Sequence, residues 1–461
     1  MYTMSRKPLT QRHFCLTRYL LAVSMPISVL SLNLWTVRTA AAETVPLPSR
    51  PLDLKEAVQV ARTRGLDLLL ADAATQGAQA DERSAGAIPN PAISAAYGRS
   101  LYYNRTQTGY AAQNPGSSNV YTVGLTDQAA IVDSLSGKRG LRRDVAHAAV
   151  QAAKMGRIDA ERVLVAAVKS QYLQMALSEQ VLDFMKETQR STVETRDLVK
   201  TRFRLGSVSE ADVARAESAK LEADQAVDAA YGGLLTQQAN MAFLLGVRGT
   251  VPNYDVESHV LDYRELPVLA QYASSGLLQI AERNRPDLKV AEYQEQQARA
   301  SLDLARRQRF PDIALSIAYT QIGNGQNYEQ PSFLSVGLSA PLPIFYQNQG
   351  EIAKANASIQ TQIIQRTKLN SQISSDVAAS WAGFTTARRR VLRMQDELLH
   401  QVDYAQKLVA IQYEKGAASL LELLDARRTF ISVNLEYRQN LSDYWTAAVR
   451  LEQSVGVEMI Q

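Results

Sequence analysis

The 461-residue chain is short of several things, and each shortage excludes a class of protein. It has a single cysteine, Cys15, which precedes an apolar N-terminal stretch, so the chain beyond that stretch carries no thiol. Disulfides and thiolate-metal centres are thereby excluded from its body. His147, His259 and His400 are far apart and lack ligand-like spacing, while Met155, Met175 and Met185 read as core fillers rather than soft-metal ligands. No glycine-rich phosphate loop, G-x-S-x-G or H-E-x-x-H motif occurs. Neither an enzyme activity, nor a cofactor, nor a bound metal is therefore expected. Beyond residue 42 there is also no apolar run of about 18 residues, which excludes transmembrane helices but leaves a β-barrel or a surface helix open.

The basic excess is missing as well, despite a formal charge of +4. The first 42 residues carry Arg6, Lys7, Arg12, Arg18 and Arg38 with no acid, and removing them leaves 45 basic against 46 acidic residues. No nucleic-acid partner is expected on this count. The basic start, the apolar stretch from about Tyr19 to Trp35 and the run Ala40-Ala41-Ala42 before Glu43 fit a cleavable signal peptide over residues 1–42. Pro26, Ser28 and Asn33 make the same stretch a poor membrane anchor, and Cys15 lacks the small neighbours of a lipoprotein cysteine.

What the chain does have, it has twice. ARTRGLDLLLA at 61–71 lies over AERNRPDLKVA at 281–291, and RFRLGSVSEADVARAES at 202–218 lies over QYEKGAASLLELLDARR at 412–428. Both halves close on a Gly-Val pair, Gly246-Val247 and Gly456-Val457. The expected organisation is a first repeat over 43–250, a linker over 251–274 and a second repeat over 275–461. Each repeat opens with a helix, about 53–86 or 275–309, ending before Pro89 or Pro311. Long proline-free helical runs follow at about 138–204 and 208–245, then 348–414 and 418–455, interrupted at Gly206 and Gly416. At 1.5 Å per residue the longer run of each pair reaches roughly 100 Å, and small residues such as Ala149, Ala153, Ala160, Ala167 and Ala176 permit close packing. Such helices suit a rod or tube.

Between the helices of each repeat lie two segments with strand alternation, about 92–103 and 120–127, then 312–322 and 332–342. Ile313, Leu315, Ile317 and Tyr319 alternate with Ala314, Ser316, Ala318 and Thr320; Leu334, Val336 and Leu338 alternate with Ser335, Gly337 and Ser339. Alternation alone fits a half-buried antiparallel sheet as well as a transmembrane barrel strand. The smallness of the polar face, and tyrosines and phenylalanines such as Tyr97, Tyr102, Tyr103, Tyr121, Phe333, Phe345 and Tyr346 near strand ends, favour the barrel. Four strands cannot close in lipid alone, so this reading requires oligomerisation, and three copies would give twelve strands.

Together these features resemble the TolC-like outer-membrane efflux proteins. SVGLSAPLPIF at 335–345, YTVGLTDQAAIVDSLSGKRG at 121–140, the two repeated turn motifs and LEQSVGV at 451–457 carry the resemblance in order along the chain. GKRG and LLELLDARRTF look closest to the branch that exports heavy-metal cations. The resemblance implies a mainly α, internally duplicated fold, with a long α-helical coiled-coil tunnel and four strands per protomer. A homotrimer would form a 12-stranded barrel in outer-membrane lipid. Its implied partners are a periplasmic adaptor (membrane fusion) protein and an inner-membrane pump of the resistance-nodulation-division type. One departure is clear: Pro341 and Pro343 stand at the strand exit of the second repeat, where the first has Asp127-Gln128-Ala129-Ala130.

The turns at Gly206 and Gly416 fall at the tip farthest from the strands, which the family uses as periplasmic gate and adaptor-docking surface. Glu422 and Asp425 match positions where the family holds inward-facing acids; their i, i+3 spacing alone describes a solvated helix face. Asp212 and Tyr413 match positions that in the family link neighbouring coils by a hydrogen bond, and Phe203, the counterpart of Tyr413, has no hydroxyl to do so. Arg204, Leu205, Gly206, Ser207, Lys415, Gly416 and Ala417 are the docking candidates. The competing reading is a structural or adaptor-like periplasmic coiled-coil protein. Osmotic-shock fractionation separates the two: a barrel protein is expected in the membrane fraction as a heat-modifiable or trimeric species, and a soluble monomer would overturn the conduit reading.

Overall fold

The computed structural model describes residues 51–99, 119–249, 254–266, 274–322 and 332–459. The expected signal peptide, Tyr102, Tyr103 and parts of the 251–274 linker lie outside these residues. Each half opens with a broken helix where the periodicity suggested a continuous one: α1 (Leu54–Arg64) and α2 (Leu66–Ala85), then α6 (Ser274–Asn284) and α7 (Pro286–Arg307). The second break has a local cause, because Pro286 offers no N–H and drives Arg285 out of the helical region, to ψ 120°. The first falls at Gly65, where the backbone runs so close to the long helix over Lys138–Arg204 that an added Cβ would stand 2.5 Å from the Leu164 side chain.

β1 (Ala92–Arg99), β2 (Asn119–Thr126), β3 (Ala314–Ile322) and β4 (Phe333–Ser339) form one antiparallel sheet in that order, the two halves meeting at β2–β3. Val123 stands opposite Tyr319 and Leu125 opposite Ile317, while β3 aligns Ile317 with Val336. The register therefore gathers Ile93, Tyr97, Tyr121, Val123, Leu125, Ile317, Tyr319, Leu334, Val336 and Leu338 on one face. That face is exposed, from 44% at Ile317 to 79% at Ile93. The opposite face carries Ser94, Thr122, Gly124, Ser316, Ala318, Ser335 and Gly337. It is crowded: a Cβ on Gly124 would lie 2.9 Å from Ser94 Oγ, and one on Gly337 2.8 Å from Ser316 Oγ.

The proline-free exit from β2 turns on two left-handed residues, Gln128 at φ 51° and Ala129 at φ 65°. A short helix, α3 (Ala130–Ser136), follows, and Gly137 at φ 77° leads into α4 (Lys138–Arg204). After β4 the chain passes Pro341 and Pro343 and enters α8 (Gln349–Arg393) from the left-handed Asn348. α4 runs unbroken for 67 residues, about 100 Å. Its counterpart does not: a π-turn over Met394–Leu398 divides α8 from α9 (Leu399–Glu414), with Asn440 Nδ2 donating to Met394 Sδ at 2.8 Å beside it. α5 (Glu210–Leu244) and α10 (Leu420–Val455) return from the tip.

The main core gathers where α1, α4, α6, α8 and α10 meet the segment between the halves. Tyr444, fully buried, has Phe384, Tyr263 and Trp445 within 5.5 Å between ring centres. Aromatic side chains satisfy part of the backbone of that segment: Tyr444 Oη donates to Arg264 O at 2.9 Å, Trp445 Nε1 to Leu261 O at 3.2 Å, and Tyr172 Oη accepts from Glu257 N at 3.1 Å. Tyr172 Oη also donates to Leu52 O at 2.6 Å. Lys169 and Glu452 make a buried ion pair at 2.5 Å between α4 and α10.

Glu179 accepts from Val256 N at 2.9 Å, and burial, reinforced by Asp255 and Asp183, pushes its carboxyl up to about 7. The folded state then holds this proton more tightly than the unfolded chain, so the group's contribution to stability falls as pH rises from about 4.5 to about 7. Glu179→Gln keeps an acceptor for Val256 N and removes the buried charge. Its melting temperature is expected to exceed wild type at pH 8 and to converge with it at pH 5; an equal offset at both values would refute the assignment.

Candidate functional site

The two helix reversals at the tip are built alike. After α4, Gly206 at φ 74° donates from its N–H to Phe203 O at 2.9 Å, and Ser207 N donates to Arg202 O at 2.9 Å. After α9, Gly416 at φ 75° donates to Tyr413 O at 3.0 Å, and Ala417 N donates to Gln412 O at 2.8 Å. This paired ladder closes the helix end on a left-handed residue, which glycine adopts without strain. Both returning helices then start with a capping box, Ser209 with Asp212 and Ser419 with Glu422.

The capping boxes account for two of the predicted gate acids locally. Asp212 Oδ2 accepts from Ser209 Oγ at 2.7 Å and Ser209 N at 3.2 Å, while Oδ1 accepts from Arg215 at 3.2 Å. The Ser209 hydrogen bonds, with help from Arg215, hold the Asp212 carboxyl below its ordinary range. Glu422 Oε2 accepts from Ser419 N at 2.6 Å and Ser419 Oγ at 2.9 Å, which likewise lowers its carboxyl. Asp425 is exposed one turn further on, at the rim of a cleft of about 500 Å3 between α4, α5 and α10 that also has Arg215, Glu222 and Arg428 on its border.

Tyr413 is 97% buried, packed with Val199, Ala216, Leu420 and Leu423 in a small core joining the two hairpins. Its hydroxyl has no hydrogen-bond partner among the described residues, and burial pushes it up from its ordinary value. The structure does not join Tyr413 to Asp212 by a hydrogen bond within this chain. Phe203, by contrast, is exposed. Arg204, Leu205, Gly206, Ser207, Lys415, Gly416 and Ala417 are all exposed on the two turns, Leu205 at 75%.

The residue that couples the turns was not singled out from the sequence. Arg202 donates to Tyr413 O at 3.0 Å and Glu414 O at 2.7 Å, the last carbonyls of α9, and its guanidinium lies 4.7 Å from the centre of the Tyr413 ring. A cation at a helix C-terminus opposes the helix dipole. Its signal was visible as a difference inside the repeat, because Gln412 occupies the same place in the second motif. Arg427 was also missed: largely buried, it donates to Ser191 Oγ at 2.6 Å and Thr195 Oγ1 at 3.1 Å on α4, and burial lowers its guanidinium from the ordinary value.

Tandem hairpins of very long helices, joined to a sheet with one exposed apolar face, are the architecture of an outer-membrane channel component. The sequence profile of the outer membrane efflux protein family matches residues 57–247 and again 277–457, and the chain belongs to this family. It is 27% identical to the pyoverdine export outer membrane protein OpmQ of Pseudomonas aeruginosa PAO1, over 88% of this chain and 84% of that one. It is 21% identical to the cobalt-zinc-cadmium resistance protein CzcC of Cupriavidus metallidurans CH34, over 95% of this chain and 99% of that one. Its fold matches a crystal structure of the transmembrane channel CusC with a TM-score of 0.71 at 20% identity, covering 90% and 96% of the two chains. The protein is thus an outer-membrane channel component of an efflux system, and the periplasmic structural or adaptor-like reading falls away.

Replacing Arg202 by Met removes the cap on α9 while keeping the aliphatic packing. Losing about 1.4 kcal/mol of local stability is expected to speed amide exchange over 411–417 about tenfold, read by hydrogen exchange; unchanged protection would mean the contact carries no weight.

Proposed function

We propose that three copies of this chain assemble into a conduit, each contributing its four strands to a closed 12-stranded barrel in the outer membrane and its helices to a tunnel through the periplasm. The sheet supports this reading most directly: a face of ten apolar side chains lies open, and among the described residues β1 and β4 each have one hydrogen-bonded neighbour. Unpaired strand edges are not tolerated in lipid, and closure by copies of the same sheet removes them. In this reading a signal peptide over 1–42 is removed on export, and repeats 43–250 and 275–461 each supply one hairpin of the tunnel wall.

The conduit receives its cargo from an inner-membrane pump of the resistance-nodulation-division type through a periplasmic adaptor protein. The exposed turns, Arg204–Ser207 and Lys415–Ala417, are the adaptor contacts, and family resemblance supports them. Energy comes from the pump, and this component makes no covalent change. The cargo is chosen at the pump: among the relatives, CzcC is named for cobalt, zinc and cadmium and OpmQ for pyoverdine.

At the tip, Glu422 and Asp425 narrow the closed pore with carboxylates repeated three times, a ring that favours cations over anions. Tyr413 supports the gate role through its buried hydroxyl, which has no hydrogen-bond partner among the described residues. Tyr413→Phe removes that hydroxyl without opening a cavity, and Asp212→Asn retains acceptor and donor atoms at the cap. Both are expected to raise single-channel conductance in planar bilayers with little loss of melting temperature. Wild-type conductance in both variants would refute the gate; loss of all channel activity in the parent protein would refute the conduit.

A further inference from the structure

Directly below the sheet the polarity of the surface is inverted. On α3, Ile131 is 52% and Leu135 81% exposed, whereas Asp133, midway between them in sequence, is 5% exposed. Residues at i and i+4 share a helix face, and a residue two positions away lies nearly opposite. Asp133 points into the protein, where Arg142 of α4 grips both its oxygens at 2.7 and 2.6 Å, and that arginine is the chief cause of its lowered carboxyl. The helix thus buries its charge and presents its leucine.

The same inversion continues into the segment before β3. Phe310 is 57% exposed, with the Arg307 guanidinium 5.1 Å from its ring centre, and Arg307 Nε donates to Ser136 O at 2.5 Å, tying the segment to the end of α3. Lys138 Nζ holds the segment from the other side, donating to Phe310 O at 2.6 Å and Asp312 Oδ1 at 2.7 Å. Both stretches adjoin β2 and β3, the two inner strands, each paired on both sides within the chain. They therefore lie away from the edges at which further copies would join. Arg307 and Arg309 are exposed beside Phe310, and neither is held in an ion pair among the described residues.

We infer that α3 and Phe310 form a membrane collar, seating Ile131, Leu135 and Phe310 in the acyl region of the periplasmic leaflet while Arg307 and Arg309 bind anionic phospholipid headgroups. α3 follows β2 and Phe310 precedes β3 directly in the chain, which places these exposed apolar side chains at the end of the sheet, and the guanidinium groups supply the charge complement. Membrane-surface helices use this division between an apolar face and flanking arginines. The inference rests on the reading that the sheet lies in lipid.

The test uses the full chain in a Cys15→Ser background, with single nitroxide labels at Leu135→Cys and Val123→Cys in vesicles of phosphatidylcholine and phosphatidylglycerol. Both labels are expected to be reached by oxygen in preference to a water-soluble nickel chelate. Oxygen preference at Val123 with nickel preference at Leu135, or with a Leu135 label shielded from both, would overturn the collar alone; nickel preference at Val123 would overturn the lipid-facing sheet. The headgroup half is read from spin-labelled lipids: wild type is expected to prefer phosphatidylglycerol over phosphatidylcholine, and Arg307→Gln/Arg309→Gln to bring the ratio to about one. No preference in wild type, or an unchanged ratio in the variant, would overturn the lipid site.

Discussion

Two copies of one unit in a single chain must be held in a common body, and the aromatic knot at Tyr444 is the contact on which this depends. Its ring stacks on Phe384 from α8, its hydroxyl takes a carbonyl of the segment between the halves, and Trp445 takes another. Tyr172 of α4 does the same from the first half, bonding Leu52 and Glu257 at once. Aromatic pairs of this kind add about 0.5–1.5 kcal/mol each beyond the area they bury. These side chains replace the water that the backbone of the connecting segment would otherwise require.

With the middle held, the far ends are free to specialise. At the tip, two identical turn geometries sit side by side and differ only in side chains: Arg202 against Gln412, Phe203 against Tyr413. One half carries a cation that caps its neighbour, the other a hydroxyl buried without a partner among the described residues. Asp212 and Glu422 each close a capping box, so both carboxylates are held by the helix ends they belong to. At the other end the sheet joins the halves strand to strand, and its two faces sort by size as well as polarity because Gly124 and Gly337 leave no room for a Cβ.

Much of this was written locally. The repeat, the tip glycines, the strand alternation and the span of α4 could all be read from residue patterns, because each depends on backbone preferences and on a period of two or 3.6. The exit from β2 was legible only as a missing proline; that Gln128 and Ala129 would take left-handed conformations was not, since neither residue favours them. The π-turn at Met394–Leu398 was equally hidden, its sequence being good helix.

The amino-acid sequence by itself determined the family, the duplicated architecture and which residues form the tip, because those follow from periodicity and from motifs repeated in register. Only the tertiary structure decided how the parts are coupled. Arg202 reaches across to α9, Tyr413 becomes buried, Glu179 meets Val256, and Asp133 turns inward while Leu135 turns out. Each joins residues separated by a turn of direction, an intervening helix or the length of a repeat, and burial and pairing at such distances are properties of packing that no local pattern encodes.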